Sequence, residues 1–375
     1  TIPIMKRLGY KPAVAGAIEV AASTGGSLMP PVMGSAAFIM VEYTGIDYRT
    51  IALAALLPAI LYYVCIYAQV HFRSIRLGMT GLDPEMIPTF RATIKKGGIF
   101  AVPLVVLVTA LLYGYTPTLV AIYGALAVIV VSWLQRRTRL GPLDLWHALA
   151  DTTYRMVPVA GATAAAGLVI AGLTMTGLAS KFAHVIYAMT NADQFLTLVV
   201  GAMLTIILGL GMPTPSAYIL AAVLMGPLMA QLHIDLLPGH LFLLYFAVMS
   251  AVTPPVAVAA YAASSIAEAN PMTIAAHAVK FCLAAFLVPF VFVFGPELLW
   301  QGPLWKTVIT FCTAALALIL LAAAIESYAK WCNSWWTRLL LAAGAVMMIA
   351  PDLRFTVLGF VVVAIAIGLG RLRSA

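Results

Sequence analysis

The chain has 375 residues, of which 63% are hydrophobic and 9% charged, with a mean hydropathy of +1.03. Soluble domains carry about 25% charged residues, so a soluble globular protein is excluded and lipid is the expected solvent. The formal charge of +8 then reads as basic loops on one side of a bilayer, and no nucleic acid is expected as a partner.

The chain opens TIPIMKRLGYKP, with neither an initiator Met nor a signal-peptide pattern, and is expected to begin inside a longer protein. Apolar segments follow at about 13–45, 50–71, 98–113, 116–134, 152–179, 194–230, 239–268, 272–295, 304–325, 336–350 and 354–370. A straight span needs about 20 residues. The segments at 13–45, 194–230 and 239–268 are longer and are interrupted by Gly and Pro: GAIEVAASTGGSLMPPVMGSAAF, LTIILGLGMPTPSAYILAAV and LLYFAVMSAVTPPVAVAAYAAS. If 194–230 is a re-entrant hairpin and the other two each cross once, sixteen of the 21 basic residues share one side. They are Lys6, Arg7, Lys11, Arg73, Arg76, Arg91, Lys95, Lys96, Arg136, Arg137, Arg139, Arg155, Lys330, Arg338, Arg371 and Arg373. The positive-inside rule makes that side cytoplasmic. The segments 80–96 and 135–155 read as amphipathic helices lying on this face. Trp133, Trp146, Trp300, Trp305, Trp331, Trp335 and Trp336 fall at span ends, where indole rings prefer the interface. The four cysteines lie in or beside apolar runs, without metal spacing.

The chain partly repeats itself. Gly26–Val32 (GSLMPPV) matches Ser250–Val256 (SAVTPPV); each copy continues into small residues and an aromatic, Phe38 or Tyr261, then a polar turn and Thr-Ile-Ala at 50–52 or 273–275. In the topology above the copies run in opposite directions, which makes an inverted repeat, the plan of many secondary transporters.

Lipid supplies no hydrogen-bond partners, so an unwound backbone survives there only where protein, water or ligand satisfies it. Carbonyls freed at Gly25, Gly26, Pro30 and Pro31, at Pro254 and Pro255, and at Gly209, Gly211, Pro213 and Pro215 are oxygen ligands for a small cation. The half-helices that follow point positive ends at an anion. Ser23, Thr24, Ser27, Thr214, Ser216, Ser250 and Thr253 add uncharged ligands. Pro kinks and small-residue packing are the plainer reading of such positions, but three Gly/Pro breaks flanked by hydroxyls favour a site. Glu19, one turn before Ser23, is either a coupling-proton site or a partly solvated residue. Lys280 fits a snorkelling or paired role, His277 a packed polar role, and Asp151 and Arg155 a surface pair at i,i+4. Metalloprotease, Walker A and nucleophile-elbow motifs are missing, so no enzyme is expected.

The runs TIPIMKRLGYKPAVAGAIEVAASTGGSLMPPVMGSAAFIM, GLGMPTPSAYILAAVLMGPLM and AVTPPVAVAAYAASSIA closely resemble the large permease subunit of tripartite ATP-independent periplasmic (TRAP) transporters. The wording around ASTGG and PPVMG resembles the fused branch associated with TAXI-type binding proteins. The resemblance covers about residues 1–296; the helices at 304–370 look like the extra C-terminal helices of some fused permeases. It implies an all-α, elevator-type symporter of a small organic anion, such as a carboxylate, in the bacterial inner membrane. Its partners would be a periplasmic binding protein and a small membrane subunit, fused or upstream. The coupling ion would be Na⁺ or H⁺, with no cofactor. Carried over by motif, Ser23, Gly25, Gly26 and Pro30 would form one cation site, and Gly209, Gly211 and Thr253 its symmetry mate. Thr24, Ser27, Pro31, Pro213, Thr214, Pro254 and Pro255 would face substrate between them. Two departures stand out: the family's first hairpin is expected upstream of Thr1, and Pro215 replaces a usual Thr.

The expected organisation is therefore the end of a first repeat (1–71), a cytoplasmic loop with an amphipathic helix (72–97), a second repeat (98–296) and extra membrane helices (297–375). A channel or non-transporting assembly subunit, and an intramembrane enzyme, are the competing classes. The paired breaks count against the former and the missing catalytic groups against the latter.

Overall fold

A computed structural model describes residues 1–79, 81, 89–134, 138–328, 334–350 and 353–374. Among these the regular structure is helical throughout. Helices α1 (Ile2–Arg7), α2 (Pro12–Gly25), α3 (Ser35–Thr44) and α4 (Tyr48–Arg76) precede α5 (Phe90–Gly97), α6 (Ala101–Leu112), α7 (Pro117–Leu134), α8 (Pro142–Met175) and α9 (Leu178–Met189). The second half holds α10 (Gln194–Gly209), α11 (Thr214–Gln231), α12 (Leu236–Ser250), α13 (Val258–Ala267), α14 (Pro271–Phe281) and α15 (Leu283–Phe294). It ends in α16 (Leu304–Glu326), α17 (Trp335–Ile349) and α18 (Leu353–Ser374). Among the described residues, five helices or helix pairs are long and apolar enough to cross a bilayer: α4, α7, α8, the α14–α15 unit and α16. The chain is an all-α, multi-pass membrane protein.

The two expected broken crossings and the hairpin are present. α2 stops at Gly25 and α3 starts at Ser35; α12 stops at Ser250 and α13 starts at Val258. α10 and α11 pack against each other across a short turn at 210–213. The half-helices exchange partners: α2 packs on α13 and α14, while α12 packs on α3 and on the hairpin.

One end of the bundle is tied by the basic residues. Lys6 Nζ lies 2.6 Å from Glu268 Oε2, Tyr10 and Ser74 share a 2.5 Å hydrogen bond, and Arg73 and Arg76 both reach Glu326. The hydrogen bond and positive charge of Lys6 hold the exposed Glu268 carboxyl below the usual range. These ties join α1, α4, α13 and α16 at the end where charge counting put the cytoplasmic loops.

Two expectations need correction. Residues 142–155 are not a separate interfacial helix. They form the start of α8, which runs unbroken for 34 residues through Pro158. At 1.5 Å per residue that is about 51 Å, well beyond a roughly 30 Å hydrocarbon layer. Nothing polar interrupts the helical register there; Asp151 and Arg155 pair at 2.7 Å on its exposed surface. Residues 180–189, between two expected spans, belong to helix α9. Of the amphipathic segment at 80–96, residues 80 and 82–88 lie outside the described residues, as do Lys330, Arg136, Arg137, Trp331 and the side chains of Lys96, Arg371 and Arg373; its end is α5.

A large core runs from Ile2 to Leu318 and centres on α2, α4, α12 and α15. A second, small core packs α16 to α18 together. α8 is nearly bare of intramolecular contacts by comparison, with only Ala166 buried.

Candidate functional site

Both breaks follow from one piece of chemistry. In a continuous helix the carbonyl of residue i accepts from the N–H of residue i+4, and proline has no N–H. Pro30 and Pro31 remove the donors for Gly26 and Ser27; Pro254 and Pro255 remove those for Ser250 and Ala251. The structure resolves the two losses alike in both copies. The second orphan is rescued by the returning chain, from Gly34 N–H to Ser27 (2.9 Å) and from Ala259 N–H to Ala251 (3.1 Å). The preceding turn closes identically, with the N–H groups of Leu28 and Met29 on the Gly25 carbonyl and those of Val252 and Thr253 on Met249. Among the described residues, the carbonyls of Gly26, Leu28 and Pro30, and their mates Ser250, Val252 and Pro254, accept no hydrogen bond. Both Pro-Pro peptides are cis.

The Gly25 carbonyl, expected to be free, is therefore taken twice over, and that of Pro31 is taken once, by Tyr48 Oη at 2.9 Å. Pro30 and Pro31 also line a small apolar cavity with Tyr48, Ala52 and Leu111. Gly25 has a different job. Tyr62 and Tyr63 of α4 press on it and donate to the carbonyls of Ala21 (2.7 Å) and Ala22 (3.0 Å), capping the end of α2. A β-carbon at 25 would lie inside the Tyr62 ring's envelope and 2.9 Å from Tyr63 Cζ. Gly26 has no such neighbour, only the Ser23 carbonyl at 3.1 Å from a β-carbon.

The hairpin tip meets the second break. Ser250 Oγ donates to the Gly209 carbonyl at 3.1 Å and to Ala247 at 2.7 Å. A β-carbon on Gly209 would sit 2.5 Å from Ser250 Oγ, so only glycine lets α10 end against α12. Gly211, at φ +77°, takes the left-handed turn and faces Val256. Pro213 caps α11 and Thr214 opens it. Thr253 donates to the Met249 carbonyl at 2.8 Å, which leaves its oxygen lone pairs for another partner. Ser216, fully buried in the first turn of α11, has a hydroxyl with no protein partner among the described residues.

The first break's polar residues face a cleft of about 290 Å³ between α2 and α13, lined by Glu19, Ser23, Thr24, Ala259, Ala262 and Ala263 among others. Ser23 Oγ donates to Glu19 Oε1 at 3.1 Å, and Thr1 Oγ1 to Glu19 Oε2. The structure thus brings Gly209 to Ser250 and Gly211 to Val256, while Thr253 bonds within its own turn, and it places Glu19, Ser23 and Thr24 together across from α13. Tyr62, Tyr63 and Tyr48 escape sequence reading because their targets lie 41, 41 and 17 residues away. Ser250 was visible only as one of several nearby hydroxyls.

A family model described as "Tripartite ATP-independent periplasmic transporter, DctM component" matches residues 1–298. A protein of Sinorhizobium fredii (strain NBRC 101917 / NGR234), named "Uncharacterized protein y4mL", is 25% identical over 276 residues, which cover 71% of this chain and 63% of that protein. The chain therefore spans less than two thirds of the length of this relative. With the matched region containing both breaks and the hairpin, the chain belongs to the DctM-component family of tripartite ATP-independent periplasmic transporters.

Proposed function

We propose that this chain forms the ion- and substrate-handling part of a cation-coupled permease that imports a small organic anion, a carboxylate, across the bacterial inner membrane. A periplasmic binding protein of the TAXI type delivers the anion, and a small membrane subunit, fused or upstream, completes the permease. What supports the reading most is the matched triplet of carbonyls without donors at each break: Gly26, Leu28 and Pro30 against Ser250, Val252 and Pro254. Unpaired peptide oxygens in hydrocarbon cost several kcal/mol each, and a partly dehydrated Na⁺ offsets that cost. Ser23 and Thr253 add hydroxyl oxygens, and the substrate's carboxylate lies between the breaks, near Thr24, Ser27 and Thr214.

Reconstitution of the complete permease in liposomes tests this. Uptake of a labelled carboxylate is expected only with an inward Na⁺ gradient and with the binding protein present. Flux that follows the solute gradient without a cation would make the chain a channel. Uptake that ignores Na⁺ and collapses in Glu19→Gln would assign coupling to protons through the α2–α13 cleft.

A further inference from the structure

The clamp between α4 and the C-terminal helices carries more positive charge than holding the helices requires. Glu326 ends α16, and its side chain is only 6% exposed. Arg73 and Arg76 approach its carboxylate at 3.4 and 3.9 Å, and Arg76 also donates to its main-chain carbonyl at 2.6 Å. Arg338 of α17 donates through Nε to the Ala324 carbonyl and through Nη2 to Ile325. Three guanidinium groups thus converge on the end of α16 around one acid, two charges in excess at the end of the bundle where basic residues gather.

Beside them runs a groove of about 310 Å³ lined by Ala324, Ile325, Trp335, Arg338, Leu339 and Ala342. One wall is cationic and the floor is aliphatic. Trp335 and Trp336 lie tilted at 36° with ring centroids 4.1 Å apart, and both residues are more than half exposed. A cationic rim, an apolar floor and an interfacial indole pair match one solute: a phosphodiester headgroup with its acyl chain. We propose that this groove binds an anionic phospholipid, with its phosphate against Arg338 and the first part of a chain over Leu339 and Ala342. The site lies outside both breaks and the hairpin, and its occupancy does not depend on the transport reading.

Native mass spectrometry of the full chain, extracted from nanodiscs of phosphatidylcholine with an equal share of phosphatidylglycerol, tests it. Wild type should retain phosphatidylglycerol in preference. Arg338→Gln keeps an amide that can donate to the α16 carbonyls but removes a charge, and should cut the preference about five-fold, the value of one basic residue near a lipid surface. Leu339→Glu, at a half-exposed position, puts a carboxylate on the groove floor and should abolish it without touching the clamp. Equal retention of the two lipids, or a preference unchanged in both variants, would overturn the proposal. So would saturating inorganic phosphate displacing the lipid, since that would make the groove a simple anion site.

Discussion

Gly25→Ala isolates the close approach that lets two tyrosines cap α2. The added methyl would overlap the Tyr62 ring, which is fully buried and anchored by its bond to Ala21. Overpacking of a tight core costs about 1–3 kcal/mol. Displacing Tyr62 adds about 1–3 kcal/mol for a buried hydroxyl left without its acceptor. Better helix propensity of Ala at the last helical residue returns up to about 1 kcal/mol. The expected net loss is about 1–6 kcal/mol. Gly26→Ala is the matched control: its methyl meets only the Ser23 carbonyl of its own turn, so it should change stability by no more than about 1 kcal/mol. Unfolding of the purified protein in mixed micelles reads both. Tyr62→Leu combined with Gly25→Ala should recover part of the loss, because the ring that clashes is gone. If Gly25→Ala is no worse than Gly26→Ala, the tyrosine pair does not set the need for glycine here.

Gly209→Ala should impair folding or uptake through its clash with Ser250, and Ser250→Ala should partly rescue it; a neutral Gly209→Ala, measured by melting temperature and uptake, refutes that contact. A cysteine placed at 75 or 138, in a background lacking the exposed Cys312, should react with an impermeant maleimide only after the cells are opened; labelling of intact cells inverts the topology. Because Lys6 holds Glu268 below its usual range, their tie is complete above the ordinary carboxylate pKa and is lost as pH falls through the lowered value. Hydrogen exchange in α1 should rise at that acid edge in wild type, and Lys6→Met should exchange fast at all pH.

The breaks were legible because proline's missing N–H is a local fact, and two adjacent prolines delete two donors wherever they sit in a helix. The repeat was legible for the same reason: Pro30–Pro31 and Pro254–Pro255 mark the same point in two half-helices of nearly equal length, 14 and 15 residues. The hairpin followed from charge, since only a return to the same side keeps Arg338 with Arg73, and the structure joins both to the end of α16. The sequence could not show how each break is finished. Tyr62 and Tyr63 look like any aromatic pair in an apolar helix until α4 lies against α2. Residues 142–155 misled because polar and aromatic spacing marks a wet helix face but does not say whether the helix continues into the membrane.

The two breaks are finished differently, and this decides which substitution best tests the second one. At the first, hydroxyls from another helix cap the end; at 224 residues on, the positions of Tyr62 and Tyr63 hold Phe286 and Leu287, which have nothing to donate. The second break relies on its own Ser250 and Thr253. Removing the Thr253 hydroxyl would ordinarily confound ion binding with structure. Here it need not, because the Met249 carbonyl it serves keeps two other donors, the N–H groups of Val252 and Thr253. Thr253→Val preserves shape and leaves no orphaned acceptor, so stability should move by less than about 1 kcal/mol. If the hydroxyl oxygen is a cation ligand, losing that contact costs about 1.5–3 kcal/mol, roughly ten- to over a hundred-fold in the Na⁺ needed for half-maximal uptake. Thr253→Ser should restore wild-type dependence. An unchanged Na⁺ requirement in a well-folded Thr253→Val protein would place the cation site away from this hydroxyl.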